Sequence, residues 1–175
     1  MGDVHYFLGI QVHHTNEGLF LNQSKYAKDL LLAAGMQDCA PIPTPPPIKL
    51  HPLQGEDELF PEPSYFRSLA GKLQYLTLTR PDLQFSVNYI CPKMHMPSVS
   101  DFQLLKRILR YVKGTVETGI NINKAAHSTL VCYSDSDWAG CQSTRRSTGG
   151  FCTFLGSNII SWSAKRHETL SKSST

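Results

Sequence analysis

The chain has 175 residues, 41% hydrophobic and 18% charged, with a formal net charge of +3. That is close to a globular average and long enough for one ordinary domain or two small ones. No apolar run approaches 18 residues, the start Met1-Gly-Asp-Val-His-Tyr6 has no secretory pattern, and five cysteines without a Cys-x-x-Cys pair exclude a tidy disulfide framework or a zinc pattern. An intracellular protein with reduced thiols and no membrane contact is expected. The charge is unevenly placed: residues 1–63 carry 3 basic and 8 acidic side chains, residues 64–175 carry 14 and 6. A basic second half permits a nucleic-acid partner and equally permits a solvated basic surface.

Tyr6, Leu8, Ile10 and Val12 alternate with smaller or more polar neighbours, which predicts a strand over 6–13. Thr15-Asn-Glu-Gly18 is turn chemistry, and Leu19-Phe-Leu21 returns as a second strand. A helix follows over about 24–34, capped by Asn22 or Ser24 and stopped by Gly35. Eight of the eleven prolines fall within 40–63, which predicts an extended linker. Three helices come next. The first is capped by Ser64 and carries Tyr65, Leu69, Leu73 and Leu76. The second starts at Pro81 or Asp82, with Phe85, Tyr89 and Met96 among its apolar residues and Pro92 inside it. The third runs from a Ser100 cap to a stop at Gly114. On this last helix Lys106, Arg110 and Lys113 form a stripe at i, i+4 and i+7, either a solvated face or a phosphate contact. The remainder is strand-rich: a weak alternation over 118–122, an apolar run 130–133 ending in Ser134-Asp-Ser-Asp137, and a hairpin through Phe151-Cys-Thr-Phe-Leu155 and Ile159-Ile-Ser-Trp162.

Asp135 and Asp137 share a face if their strand continues, and two such carboxylates suit a hard divalent cation. The same pair is also common in plain turns. A two-metal hydrolytic site needs further acids, and beyond Trp138 there is only Glu168. His13 and His14 point to opposite faces of a strand and cannot chelate together. No phosphate loop and no nucleophile elbow is present.

Eight blocks carry a family resemblance: Val4-His-Tyr-Phe-Leu-Gly-Ile10, Leu19-Phe-Leu-Asn-Gln-Ser-Lys-Tyr26, Ser68-Leu-Ala-Gly-Lys-Leu-Gln-Tyr-Leu-Thr77, Thr79-Arg-Pro-Asp82, Leu105-Lys-Arg-Ile-Leu-Arg-Tyr-Val-Lys-Gly-Thr115, Ser134-Asp-Ser-Asp-Trp-Ala-Gly140, Arg146-Ser-Thr-Gly-Gly150 and Ser161-Trp-Ser-Ala-Lys165. In this order and spacing they resemble the Pol polyprotein of copia-type LTR retrotransposons, and the short Pol-derived open reading frames of plant genomes, mitochondrial ones included.

The resemblance implies an α+β chain. Residues 1–40 would be the end of a reverse-transcriptase palm with the start of its thumb, 41–63 a Pro-rich linker, and 64–124 helical thumb and connection. Residues 128–175 would be a truncated, three-stranded antiparallel ribonuclease H-like sheet. It makes Asp135 the first catalytic, metal-binding carboxylate of that ribonuclease H and Asp137 structural. The family's polymerase carboxylates lie upstream of its Tyr-Phe-Leu-Gly strand, and its next ribonuclease H glutamate follows a Ser-Ser-Thr that here is Ser173-Ser-Thr175. The expectation is therefore a catalytically inactive piece of a reverse transcriptase with ribonuclease H. Mg²⁺ would be the parent's metal, not bound productively here, and an RNA/DNA hybrid the parent's partner. The alternatives are a co-opted, sequence-blind nucleic-acid module and a piece of a longer active polyprotein. Candidate nucleic-acid contacts are Lys106, Arg110, Lys113, Arg145 and Arg146.

Overall fold

The chain begins with a two-residue hairpin. A computed structural model describes residues 3–45, 58–124, 129–137 and 147–167. In it β1 (Tyr6–Phe7) turns at Leu8 and Gly9 into β2 (Ile10–His14), with Phe7 opposite Ile10. Leu8 (φ 45°) and Gly9 (φ 74°) both adopt left-handed backbone, the signature of a type I′ turn. The single strand expected over 6–13 is therefore two short antiparallel ones. The alternation of Tyr6, Leu8, Ile10 and Val12 runs unbroken in the sequence, but the two-residue turn reverses the faces, so Tyr6 shares its face with Gln11 rather than with Ile10 and Val12. The Tyr75 hydroxyl donates to the Leu8 carbonyl and so pins the turn to the helices.

β3 (Gly18–Asn22) pairs antiparallel with β2, and its other edge takes β4 (Gly119–Asn123), so the order is β1-β2-β3-β4. Helix α1 (Ser24–Ala33) follows β3 directly. Its N-terminus is served neither by Asn22 nor by an Ser24 cap. The Gln11 side-chain oxygen reaches over from β2, accepting from the Ser24 hydroxyl at 2.7 Å and the Lys25 N–H at 3.1 Å. Gly35 (φ 61°) ends the helix as expected: its N–H bonds Leu32 O at 2.9 Å, and Met36 N–H bonds Leu31 O at 2.8 Å, the paired bonds of a Schellman stop.

Helix α2 (Pro63–Leu76) starts with proline at its first turn rather than with a Ser64 cap. A 3₁₀ turn (Pro81–Leu83) leads into α3 (Gln84–Ile90), and a second (Cys91–Lys93) ends it. Pro92 thus lies beyond the α-helix, in a turn where its missing N–H costs nothing, and the expected interior proline is corrected. The face of α3 is corrected too. Leu83, Val87 and Ile90 are buried, whereas Phe85, Tyr89 and Met96 stand in solvent. Helix α4 (Val99–Gly114) is capped two residues earlier than expected, by a reciprocal box in which Ser98 Oγ accepts the Asp101 N–H at 3.1 Å and Asp101 accepts the Ser98 N–H at 3.0 Å.

The core is helical. Ala27, Leu30 and Leu31 of α1 meet Phe66, Leu69, Ala70, Leu73 and Leu76 of α2, Leu83, Val87 and Ile90 around α3, and Leu105, Ile108, Leu109 and Val112 of α4. These positions recur at three and four residues, the spacing of one helix face. Among them sits a charged side chain, Arg80, 1% exposed. Its Nε and Nη2 clasp the Asp82 carboxylate at 2.9 and 2.7 Å, and its Nη1 and Nη2 donate to the Thr115 carbonyl and hydroxyl at 2.8 and 2.7 Å. The break between α2 and α3 is thereby bolted to the end of α4. Burial pushes the Asp82 carboxyl up, but the Arg80 hydrogen bonds and charge, with the Tyr111 hydroxyl at 2.9 Å, outweigh it and hold the group below its ordinary value.

Both described ends of the proline-rich stretch lie against α4. Ile42 N–H bonds Arg110 O at 3.4 Å, Phe60 N–H bonds Pro97 O at 2.8 Å, and Phe60 stacks on Phe102 with centroids 4.1 Å apart.

A second, three-stranded antiparallel sheet is made by β5 (Leu130–Asp137), β6 (Thr148–Leu155) and β7 (Asn158–Arg166). The strand β5 continues through the segment read as its end, because Ser136 and Asp135 pair with Gly149 and Gly150 and meet no side chain across the ladder. The chain is thus of the α+β class. Among the described residues no helix is long and apolar enough to cross a membrane.

Candidate nucleic-acid interface

The strand register assigns the two faces of the second sheet. Tyr133, Cys152 and Trp162 stand in one cross-strand row, and Asp135, Gly150 and Ala164 in the next on the same face. This face meets the helices: Trp162 Nε1 donates to Thr77 O at 3.2 Å, Ala164 is buried, and the Asn88 amide on α3 donates to the Ala164 carbonyl. At the hairpin end Asn158 accepts the Asn123 N–H at 2.7 Å and donates to its carbonyl at 3.0 Å, joining the two sheets. The sheet therefore packs partly on α3. Phe151 and Leu155 are exposed, while Phe154 and Trp162 are half covered.

Asp135 is exposed, and its Oδ1 accepts the following Ser136 N–H at 2.9 Å. Among the described residues no set of three or more His, Cys, Asp or Glu side chains is placed to hold a metal ion. One carboxylate already turned onto its own backbone is a poor fit for Mg²⁺, which asks for several oxygen ligands in near-octahedral order.

An open cleft of about 830 Å³ lies on the same sheet. Its walls come mainly from the other face, with Ser134, Ser136, Phe151, Ser163, Lys165 and His167, while Asp135 and Arg166 border it. The cleft and the carboxylate singled out by sequence thus belong largely to opposite faces. Sequence reading missed Phe151 and Lys165 because an aromatic in an alternating strand reads as core. The available signal was its neighbours in register, serines and glycines where a second core layer would need apolar partners.

The basic stripe of α4 is brought together as its spacing requires. Lys106 is exposed, with Nζ 5.1 Å from the Phe102 ring centre, and Lys113 is half exposed in the last turn. Arg110 is partly engaged by its own chain: its Nε donates to Ala40 O at 2.8 Å, and one turn earlier Arg107 donates to Thr44 Oγ1 at 2.9 Å. Arg145 and Arg146 lie outside the described residues.

Comparison with known proteins gives three informative relatives. An uncharacterized mitochondrial protein of Arabidopsis thaliana is 58% identical over all of this chain, which spans 72% of that protein. The retrovirus-related Pol polyproteins from transposons RE2 and RE1 of the same plant are 41% and 42% identical over 99% of the chain, which spans 12% of each. No family model matches, and no solved structure matches.

Proposed function

This chain belongs to the family of retrovirus-related Pol polyproteins of copia-type transposons, and on that premise we propose that it is a Pol-derived segment running from the reverse transcriptase into the ribonuclease H part. Its first sheet and α1 are then palm end and early thumb, α2 to α4 thumb and connection, and β5–β7 the antiparallel strands of a ribonuclease H-like sheet. The observation that carries this reading is Asp135 on β5, the position the family motif gives to a metal-binding carboxylate, at the edge of a three-stranded antiparallel sheet.

The chain by itself contacts nucleic acid without cutting it. Hydrolysis by two metal ions needs several carboxylates to clamp the attacking and leaving oxygens. Asp135 offers one, and the described residues add no donor cluster to it. Binding asks less, since phosphates are attracted by the +8 excess of residues 64–175 without regard to base sequence. The contacts assigned are Lys106, Arg110 and Lys113 on α4, with Arg145 and Arg146.

The test is the salt dependence of binding to a labelled oligonucleotide. Each phosphate contact contributes roughly 0.7–0.9 to the slope of log affinity against log salt. Replacing all five residues by glutamine is expected to flatten that slope by about three or more and to weaken binding alike for every sequence. An unchanged slope would remove α4 from the interface.

A further inference from the structure

We propose that the helix-distal face of the second sheet is a docking platform for single-stranded nucleic acid, with Phe151 as the stacking surface and Lys165 as the phosphate contact. The inference takes its ligand class from the nucleic-acid reading above, but it uses a different surface and does not need the α4 stripe.

Phe151 lies on the middle strand with Ser134 on one side and Ser163 on the other, and the next row is Ser136, Gly149 and Lys165. Cross-strand partners share a face, so these five side chains and the bare backbone of Gly149 form one surface, opposite the face that holds Trp162 and Ala164 against the helices. Ser134, Ser136 and Lys165 are exposed, and so is Phe151 at 43%. A large aromatic ring ringed by hydroxyls is a poor start for a hydrophobic layer, because any apolar cover would desolvate the serines.

It is well matched to a base. Stacking needs a flat apolar surface of ring size, and small hydrogen-bonding neighbours suit a sugar or base edge. Lys165 stands one row further, about two residues along β7 from Ser163, so it can meet the backbone of the strand whose base rests on Phe151. A Cβ at Gly149 would come within 2.7 Å of His167 Nε2, so the imidazole lies over that glycine and walls the cleft. Charge complementarity selects the occupant: Lys165 and Arg166 line the cleft, and among its described lining residues the acid is Asp135, whose row belongs to the other face. A duplex would bring no unstacked base to the ring, and so a single strand is the better ligand.

The experiment measures binding of a fluorescein-labelled oligothymidylate of about eight nucleotides, a length within the usual site size of such platforms, to the full chain at low salt. It is paired with photo-crosslinking of a 5-iodouracil version and mass-spectrometric mapping. The expected results are a loss of about fivefold or more for Phe151→Ser, recovery in Phe151→Trp, a salt slope lower by about one in Lys165→Gln, and a crosslink at Phe151. Phe151→Trp and the crosslink keep the test valid if the serine variant folds poorly. Unchanged affinity in a folded Phe151→Ser, or crosslinks confined to α4, would overturn the platform while leaving the α4 reading standing. Loss of binding only when Lys106, Arg110 and Lys113 are neutralised would do the same. If Phe151→Ser instead turns a dimer into a monomer with affinity unchanged, the face belongs to a second copy and the proposal falls.

Discussion

Replacing Arg80 by alanine is expected to destabilise the chain by about 3 kcal/mol or more, a large fraction of the roughly 5–15 kcal/mol that holds a domain of this kind together. The side chain is 1% exposed and makes its bonds to three separate groups: the Asp82 carboxylate, the Thr115 carbonyl and the Thr115 hydroxyl. Removing it leaves a cavity between the α2–α3 break and the end of α4, and leaves Asp82 partly buried without its cation. Lysine should rescue little, since an ammonium cannot reach two partners in the fork geometry of a guanidinium. The same pair makes stability depend on pH. Asp82 has a depressed carboxyl pKa in the folded chain, held down by Arg80 against the opposing effect of burial. Its contribution is therefore complete above the ordinary aspartate value of about 3.9 and is lost as pH falls through the lower folded value. Urea midpoints at falling pH should show this loss in the native chain. An Asp82→Asn variant should lack that acid-dependent step.

Phe66→Ala should cost about 3–5 kcal/mol, whereas Phe85→Ala should stay within about 0.5 kcal/mol of the native chain. Phe66 has no exposed surface and sits in the cluster shared by all four helices, so truncation removes both its transfer energy and its packing. Phe85 is on the solvent side of α3, 41% exposed, since Leu83, Val87 and Ile90 take the inward positions. Urea unfolding of the two variants decides it. Equal and large losses would mean that α3 is rotated relative to the face described here.

The two phenylalanines also show where the sequence is legible and where it is not. In α2 the apolar residues at three- and four-residue spacing predict Leu69, Leu73 and Leu76 of the buried face, because a long helix repeats the pattern several times, although that face starts at Phe66 and leaves the expected Tyr65 half-buried. In α3 the pattern has only seven residues in which to repeat, and Pro92 made a longer helix look kinked when in fact the chain had already left it. Gly35 was readable because a left-handed stop leaves a local mark. The start of α1 was not, since Gln11 serves it from 13 residues away. The turn at Leu8–Gly9 leaves no break in the sequence alternation, although it puts Tyr6 on the face of Gln11. The candidate site divides in the same way. The α4 stripe follows from spacing alone, and Asp135 from the family motif. Phe151 and Lys165 emerge only when three strands are placed in register. In the Arg80–Asp82–Thr115 cluster the first two are sequence neighbours, and only the tertiary fold brings Thr115 to them.

We propose that this Pol-family chain holds nucleic acid through its basic surfaces while its lone matched carboxylate, Asp135, performs no hydrolysis. One sample tests both halves: the purified chain with an RNA/DNA hybrid labelled on the RNA strand, in Mg²⁺ and separately in Mn²⁺, resolved on a native gel and on a denaturing gel. A retarded complex that weakens steeply with added salt is expected, with an RNA strand that stays full length and Asp135→Asn indistinguishable from the native chain. RNA shortened by the native chain and left whole by Asp135→Asn would contradict the proposal.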